Sequence, residues 1–465
     1  MTSADERIAK LEAQVAFLLQ VIAARDATVA KLEARVRELE EQLWQNSTNS
    51  HKPPSSDPPG TRPAKPSTGR RRGGQPGHKH HKRVMLPATR RTDLRPRACR
   101  CCGGRRLAAL PDERVHQVVD VPTVQPDVHD IVMHGASCRD CGKTTWAELP
   151  RGVPSHMFGP RLLGLIGYLV GARISRRQVR EILGEVFAIP VSLGALSEAE
   201  EHVSNALAAP VDEAATHVRG QPIKHVDAST WRMAGAYAAL WTIATRLVTV
   251  FFIAGDGRKD TVKALLGNLR GILVTDRGSQ FGFWAMERRQ VCWAHLIRKF
   301  VAFTERGDHG AALGDSLLLI AQTMLHEWHR VRDGTRSRAS YRVMADNAQV
   351  AFERLLERGV ALRLRGLSGA CADILAHRAA LFTFARERGV EPTNNHAERA
   401  LRPFVLWRKT SYGSQSERGR LFAERVMTVA HTLRLQKRSV LAFLVDACHA
   451  KLHNRSTPTL LPAIR

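Results

Sequence analysis

Apolar side chains at the start of the chain recur at an alternating spacing of three and four: Ile8, Leu11, Val15, Leu18, Ile22, Val29, Leu32, Val36, Leu39 and Leu43, broken only at Arg25. This period predicts one helix over residues 5–44 with a narrow apolar seam. Branched Ile or Val at most a positions with Leu at d favours a parallel two-stranded coiled coil, in which Arg7 with Glu12 and Arg35 with Glu40 pair across the seam. A homodimer is the expected consequence. The alternative is an amphipathic helix lying against its own chain.

After Trp44 the apolar rhythm stops, and residues 45–97 read as a linker rich in Pro, Gly and small polar side chains that cannot form a packed core. Between Lys52 and Arg97 there are thirteen Lys or Arg against two acids, Asp57 and Asp93. Such a flexible basic arm neutralises phosphates, and Arg70, Arg71, Arg72, Lys79, Lys82 and Arg83 are its candidate DNA contacts. The region 98–150 then holds two CxxC pairs, Cys99 with Cys102 and Cys138 with Cys141, 35 residues apart. Four thiolates closing on Zn²⁺ are the expected use, with 115–121 and 128–134 as strands that bring the pairs together. Cys101 is an off-register substitute, and His116, His129 and His134 read as strand residues.

Residues 155–215 are helical in pattern. Ser175 is placed to cap a helix over 176–186 and Ser192 a second to about Ala208, with a tight turn at 188–191. That spacing fits a helix-turn-helix. It fits a plain helical connector equally, because Glu198, Glu200 and Glu201 on the second helix repel phosphate. From Ile223 a new pattern begins: the β-rich runs 223–227, 237–245 and 247–254, with a break at Ala234-Gly235 suited to a hairpin, predict strands, 261–269 a helix, and 271–276 a buried strand. Asp227 and Asp276 fall at the ends of the first and fourth strands. Residues 283–384 read as mainly helical, and Cys292-x-x-His295 at their start is better explained by helix packing than by a zinc half-site. Asn394 and Asn395 precede a short helix over 397–402, where an Asn cap and a Glu398–Arg402 pair are expected. Residues 411–419 form a loop, followed by helices over 421–433 and 440–452.

Charge narrows the field of partners. Lys and Arg number 70 against 44 Asp and Glu, a formal +26, which points to a polyanion such as double-stranded DNA. There is no run of eighteen apolar residues and no apolar export segment, so a cytoplasmic, nucleoid-associated protein with no membrane partner is expected. In that reducing compartment clustered cysteines favour metal over disulfides.

Asp227, Asp276 and Glu398 are three carboxylates that could converge, the aspartates 49 residues apart and Glu398 a further 122 along. Hard oxygen ligands suit Mg²⁺ or Mn²⁺, and two such ions about 4 Å apart can clamp a scissile phosphate. Spacing alone does not decide this, and it requires the intervening helices to be an insertion.

The order of several short motifs is more specific. Gln45-Asn46-Ser47 through Asp57, Gly74-Gln75-Pro76-Gly77-His78, the double CxxC, His225-Val226-Asp227, Val274-Thr275-Asp276-Arg277, Cys292-Trp293-Ala294-His295-Leu296 and Asn394-Asn395-His396-Ala397-Glu398-Arg399-Ala400-Leu401-Arg402-Pro403 follow one another along nearly the whole chain. Together they resemble a transposase of the insertion-sequence sixty-six family, in the DDE group. The resemblance implies a multidomain α/β chain. Its ribonuclease-H-like DDE catalytic domain would span 221–410 with a helical insertion at about 283–390, preceded by the coiled coil, linker and zinc-binding domain and followed by C-terminal helices over 411–465. It implies Asp227, Asp276 and Glu398 as Mg²⁺ ligands and catalytic residues. It implies cleavage at terminal inverted repeats followed by strand transfer, and small accessory proteins encoded beside the element. Asn394, Asn395, Arg399 and Arg402 flank the glutamate and, with Arg408 and Lys409, are candidates for binding DNA or orienting Glu398. The alternatives are an inactive DNA-binding regulator and a ribonuclease-H-like nuclease without strand transfer.

Overall fold

A computed structural model describes residues 3–50, 57, 77 and 84–462. Helix α1 (Ser3–Trp44) is continuous, and its seam residues Ile8, Leu11, Val15, Leu18, Ile22, Val29, Leu32, Val36 and Leu43 are all exposed. Leu39, Arg7 and Glu40 fall outside the described side chains.

The two expected strands at 115–121 and 128–134 do not form. Val115, Val118, Val121, Val128 and Val132 have the right side chains but no partner strand to pack against, and Pro122 and Pro126 interrupt the segment. The pairing instead lies around the second CxxC, where β1 (Gly135–Ser137) meets β2 (Thr144–Trp146) antiparallel.

Four helices follow: α2 (Pro160–Gly171), α3 (Arg176–Phe187), α4 (Leu193–Ala206) and α5 (Ala208–Gly220). Ser175 caps α3 in a full capping box with Gln178, and Ser192 caps α4. Leu196, Ala199, Glu200, Val203 and Ser204 of α4 are buried, and Glu200 is held by Arg176 at 2.6 Å. One face of α4 is thus packed into the core, while Leu193, Gly194, Glu198 and Asn205 on its other side are exposed.

The central sheet comprises β3 (Ile223–Met233), β4 (Ala236–Ala244), β5 (Thr249–Ala254), β6 (Ile272–Thr275) and β7 (Arg289–Val291), in the spatial order β5-β4-β3-β6-β7. β3, β4 and β5 are antiparallel neighbours, whereas β6 and β7 run parallel to β3. A two-residue turn, Ala234-Gly235, with both φ positive, joins β3 to β4 and matches the twist of the strands. β3 continues six residues beyond Asp227, so that aspartate lies within the strand and not at its end. Helix α6 (Lys259–Leu266) connects β5 to β6. β7 lies where helix was expected, because Arg289 and Gln290 are fully buried polar residues and break the apolar signal of a strand.

Beyond β7 come α7 (Trp293–Thr304), α8 (Gly310–Arg332), α9 (Arg338–Ala361), α10 (Leu367–Ala376) and the one-turn α11 (Thr383–Arg386). The chain leaves and returns at a stitched neck: Trp293 N–H donates to Pro392 O at 2.9 Å and its indole N–H to Leu381 O at 2.7 Å. The chain then forms α12 (Asn395–Ser411), α13 (Glu417–Leu435) and α14 (Val440–Leu452). α12 runs through Pro403, well past the expected end at 402.

Two apolar cores result. One joins α2–α5, α12–α14 and the β3–β5 region; the other joins α7–α11 with Val274 of β6 and Val291 of β7. Both sheet edges are covered. Backbone N–H groups of Thr249, Phe251 and Ile253 on β5 donate to Thr432 Oγ1, Thr428 Oγ1 and Glu424 Oε1 of α13. Four helical residues rise about 6 Å and two strand residues about 6.8 Å, so a side chain every fourth residue meets every second strand amide. On β7, Gln290 accepts from Phe384 N–H and donates to Leu381 O, and Thr383 Oγ1 donates to Arg289 O.

Thr428→Val keeps the side-chain volume but leaves the buried Phe251 amide without its acceptor. A loss of about 1–3 kcal/mol in urea unfolding is expected, with no change in secondary-structure content.

Candidate active site

The parallel pairing of β3 with β6 matches Ile223 to Ile272, Lys224 to Leu273 and His225 to Val274. Each partner lies 49 positions further along the chain, the same number that separates Asp227 from Asp276. Continued by two residues, this register sets the two aspartates side by side, about one strand spacing of 4.8 Å apart. Ala228 N–H donates to Asp227 Oδ1 at 2.9 Å and Gly278 N–H to Asp276 Oδ1 at 2.9 Å, which orients both carboxylates.

Glu398 lies in the first turn of α12. That helix packs on the sheet through Phe404, whose ring lies 5.7 Å from Trp231 and 4.6 Å from Phe251. Its start is set by Asn394, which is only 1% exposed. Asn394 does not cap the helix with its side chain. Its Nδ2 donates to Val226 O at 2.8 Å, its Oδ1 lies 3.3 Å from His225 Nδ1, and its backbone N–H points at Cys292 Sγ at 3.1 Å. A DNA contact is not open to the Asn394 side chain, because its amide is spent inside the protein.

The expected Glu398–Arg402 pair is also absent. Glu398 turns inward, with Oε1 buried, accepting no hydrogen bond and lying 3.7 Å from His295 Nδ1, while Arg402 is exposed. Burial, and then the neighbouring Asp276, push the Glu398 carboxyl up, with Arg298 and Arg399 opposing. Asp227 is pushed up to about 8, chiefly by burial, with Asp276 and Glu398 adding like charge and Arg298 partly relieving it. Burial and like charge thus act together on these carboxyls, a crowding that cations would offset, although the three are not drawn within 4.8 Å of one another.

Arg298 is the residue that the sequence did not single out. It follows His295 by three on α7, on the face opposite Leu296 and Phe300, and its Nε is buried without a hydrogen bond. The available signal was the i, i+3 step from the Cys-x-x-His motif. Cys292, read as a packing residue, is buried, and its Sγ, a nitrogen of His295 and an oxygen of Glu398 all lie within 4.8 Å of one another.

Among the basic candidates, Arg399, Arg402 and Lys409 lie on the exposed side of α12, and Asn395 is half-buried. Arg408 is tied back to Thr230, by bonds to its carbonyl and its hydroxyl. Arg70, Arg71, Arg72, Lys79, Lys82 and Arg83 lie outside the described residues. The two CxxC segments adopt matching turns: Gly103 N–H donates to Cys99 O and Gly142 N–H to Cys138 O, each at 2.9 Å, with both glycines at φ +71°. Amides of Cys102 and Cys101 lower the Cys99 thiol, and those of Cys141 and Asp140 lower Cys138, which favours the thiolates that zinc requires. The four sulfurs are not gathered into one group; Cys292, His295 and Glu398 form the group that is gathered among the described residues. Nor is any helix among those residues long and apolar enough to cross a membrane.

Comparison with known proteins places this geometry. Residues 162–421, more than half of the chain, match the family described as Transposase IS66 family, and the chain belongs to that family. Residues 96–142 match the zinc-finger binding domain of transposase IS66, and residues 2–84 a family of unknown function. The chain is similar to the uncharacterized protein y4hP of Sinorhizobium fredii, 23% identical over 389 residues that cover 76% of this chain and 70% of that protein. It is also similar to the uncharacterized protein y4qI of the same organism, 32% identical over 196 residues that cover 39% of this chain and 36% of that protein.

The raised Asp227 carboxyl gives a stability signature. The folded chain keeps its proton between about pH 4 and 8 while the unfolded chain releases it, so this group destabilises the fold as pH rises through that window. In divalent-free buffer, Asp227→Asn should melt above the wild type near about pH 9, with the gap narrowing towards about pH 5. An equal gap at both pH values would separate the residue from this electrostatic crowding.

Proposed function

We propose that the chain is a DNA transposase that cleaves DNA at the ends of its own insertion sequence and joins the freed ends to target DNA. The observation that carries this is the β3–β6 register, which sets Asp227 beside Asp276, together with Glu398 turned inward from α12. The sheet order β5-β4-β3-β6-β7, with three antiparallel strands followed by two parallel ones, supports a ribonuclease-H-like catalytic domain. The three carboxylates suit Mg²⁺ or Mn²⁺, which when bound would activate a water or 3′-hydroxyl and stabilise the leaving oxygen in an in-line displacement.

The protein's own groups prepare that site. Asn394 fixes where α12 begins, Ala228 and Gly278 amides orient the aspartates, and Arg298 supplies positive charge beside them. Arg399, Arg402 and Lys409 offer a basic stripe for the DNA backbone, joined by the basic arm over 52–97. The exposed seam of α1 fits a parallel homodimer, so that two catalytic units would hold two element ends. Zinc on Cys99, Cys102, Cys138 and Cys141 would draw the two preformed turns together.

Asp276→Asn should abolish Mg²⁺-dependent cleavage of element-end DNA while leaving end binding within about twofold, read by gel assays of cleavage and of mobility shift. Cleavage at the wild-type rate would exclude the mechanism, and cleaved but never joined product would favour a nuclease. Separately, the double change Cys99→Ser with Cys102→Ser should lower the zinc content of the purified full chain and weaken end binding; unchanged zinc would exclude the four-thiolate site.

A further inference from the structure

We infer that Cys292, His295 and Glu398 form a second metal site, one that takes a thiophilic divalent ion such as Zn²⁺ and shares Glu398 with the carboxylate cluster. The three side chains come from two helix starts. Cys292 precedes the first residue of α7, His295 lies in that helix's first turn, and Glu398 lies in the first turn of α12. The C-x-x-H step places sulfur and imidazole on one side of α7, facing the incoming glutamate.

Their ligand atoms lie within 4.8 Å of one another, and His295 Nδ1 and Glu398 Oε1 are already 3.7 Å apart. A tetrahedral zinc with bonds of about 2.0–2.3 Å needs neighbouring ligands about 3.3–3.8 Å apart, so closure takes side-chain shifts of about an ångström. The donor set also speaks for zinc over magnesium: a thiol and an imidazole are soft or borderline ligands, whereas Mg²⁺ takes oxygen. One hydrogen bond that a metal-bound thiolate would accept is already in place, from the Asn394 backbone N–H to Cys292 Sγ at 3.1 Å. The Glu398 oxygen that faces the group accepts no hydrogen bond from the protein. Three protein ligands leave one coordination position open.

Sharing has a consequence that rests on the transposase reading above. A zinc ion that holds Glu398 in this group withdraws it from Asp227 and Asp276, so zinc should inhibit Mg²⁺-dependent cleavage by competing for one carboxylate. The site itself does not depend on that reading.

The test uses Co²⁺ as the probe in the full chain with Cys99, Cys102, Cys138 and Cys141 all changed to Ser, which removes the other thiolate site. A sulfur-to-cobalt charge-transfer band is expected in this background. Adding Cys292→Ser should abolish the band, and adding His295→Gln, which leaves the buried thiol in place, should weaken cobalt binding about 10- to 100-fold. Circular dichroism melts check folding, and His295→Gln carries the test if Cys292→Ser does not fold. No band in the background, or a band unchanged by either substitution in a folded variant, overturns the site. Asp276→Asn should keep the band while losing cleavage, so failure of the metal site and failure of the catalytic reading are told apart.

Discussion

Three stretches far apart in the chain meet at the buried amide of Asn394. Its side chain holds the carbonyl of Val226, one residue before Asp227, and its backbone holds the sulfur of Cys292 at the head of α7. Neither bond is strong by itself, each contributing about 1 kcal/mol. Their importance is geometric. α12 is long and packs through Phe404, which settles its height above the sheet; Asn394, with His396 bound to Thr245 O at 2.7 Å, holds the first turn, and so bears on which way Glu398 points. A helix shifted by one residue would rotate that carboxylate by about 100°.

This fixing works against electrostatics. Asp227 and Glu398 are held where burial and the charge of Asp276 oppose ionisation, and Arg298 only partly offsets that. The surrounding packing has to absorb the cost, and it is extensive. Trp231 and Phe251 lie beneath α12 against its Phe404 on one side, while Trp293 anchors the returning insertion on the other. A rigid frame around mutually repelling oxygens is the arrangement of a site that awaits counter-charge.

Much of this was legible in the residues, and the failures have physical causes. β-rich apolar runs located β3, β4, β5 and β6, and β4, β5 and β6 prove buried along most of their length. β7 was invisible because its buried side chains are Arg289 and Gln290, which hydrogen-bond to neighbouring backbone in place of apolar packing. The valines at 115–132 carried a strand signal with nothing to pair with. The 49-residue interval between the aspartates was in plain view, yet it acquires meaning only once β3 and β6 are known to pair in parallel at that same offset. For Glu398 the local pattern favoured Arg402. Only tertiary structure supplies the alternative, because what draws the glutamate inward lies on α7 and the sheet.

The covering of both sheet edges limits how copies of this chain can assemble. β5 has its outward amides taken by Thr432, Thr428 and Glu424, and β7 is short and occupied by the segment around Thr383. An open edge invites strand addition from any neighbour. With neither edge available, this sheet cannot grow from molecule to molecule. Contact between copies is thereby left to side-chain surfaces, whose fit is specific, in place of backbone pairing, which accepts almost any strand.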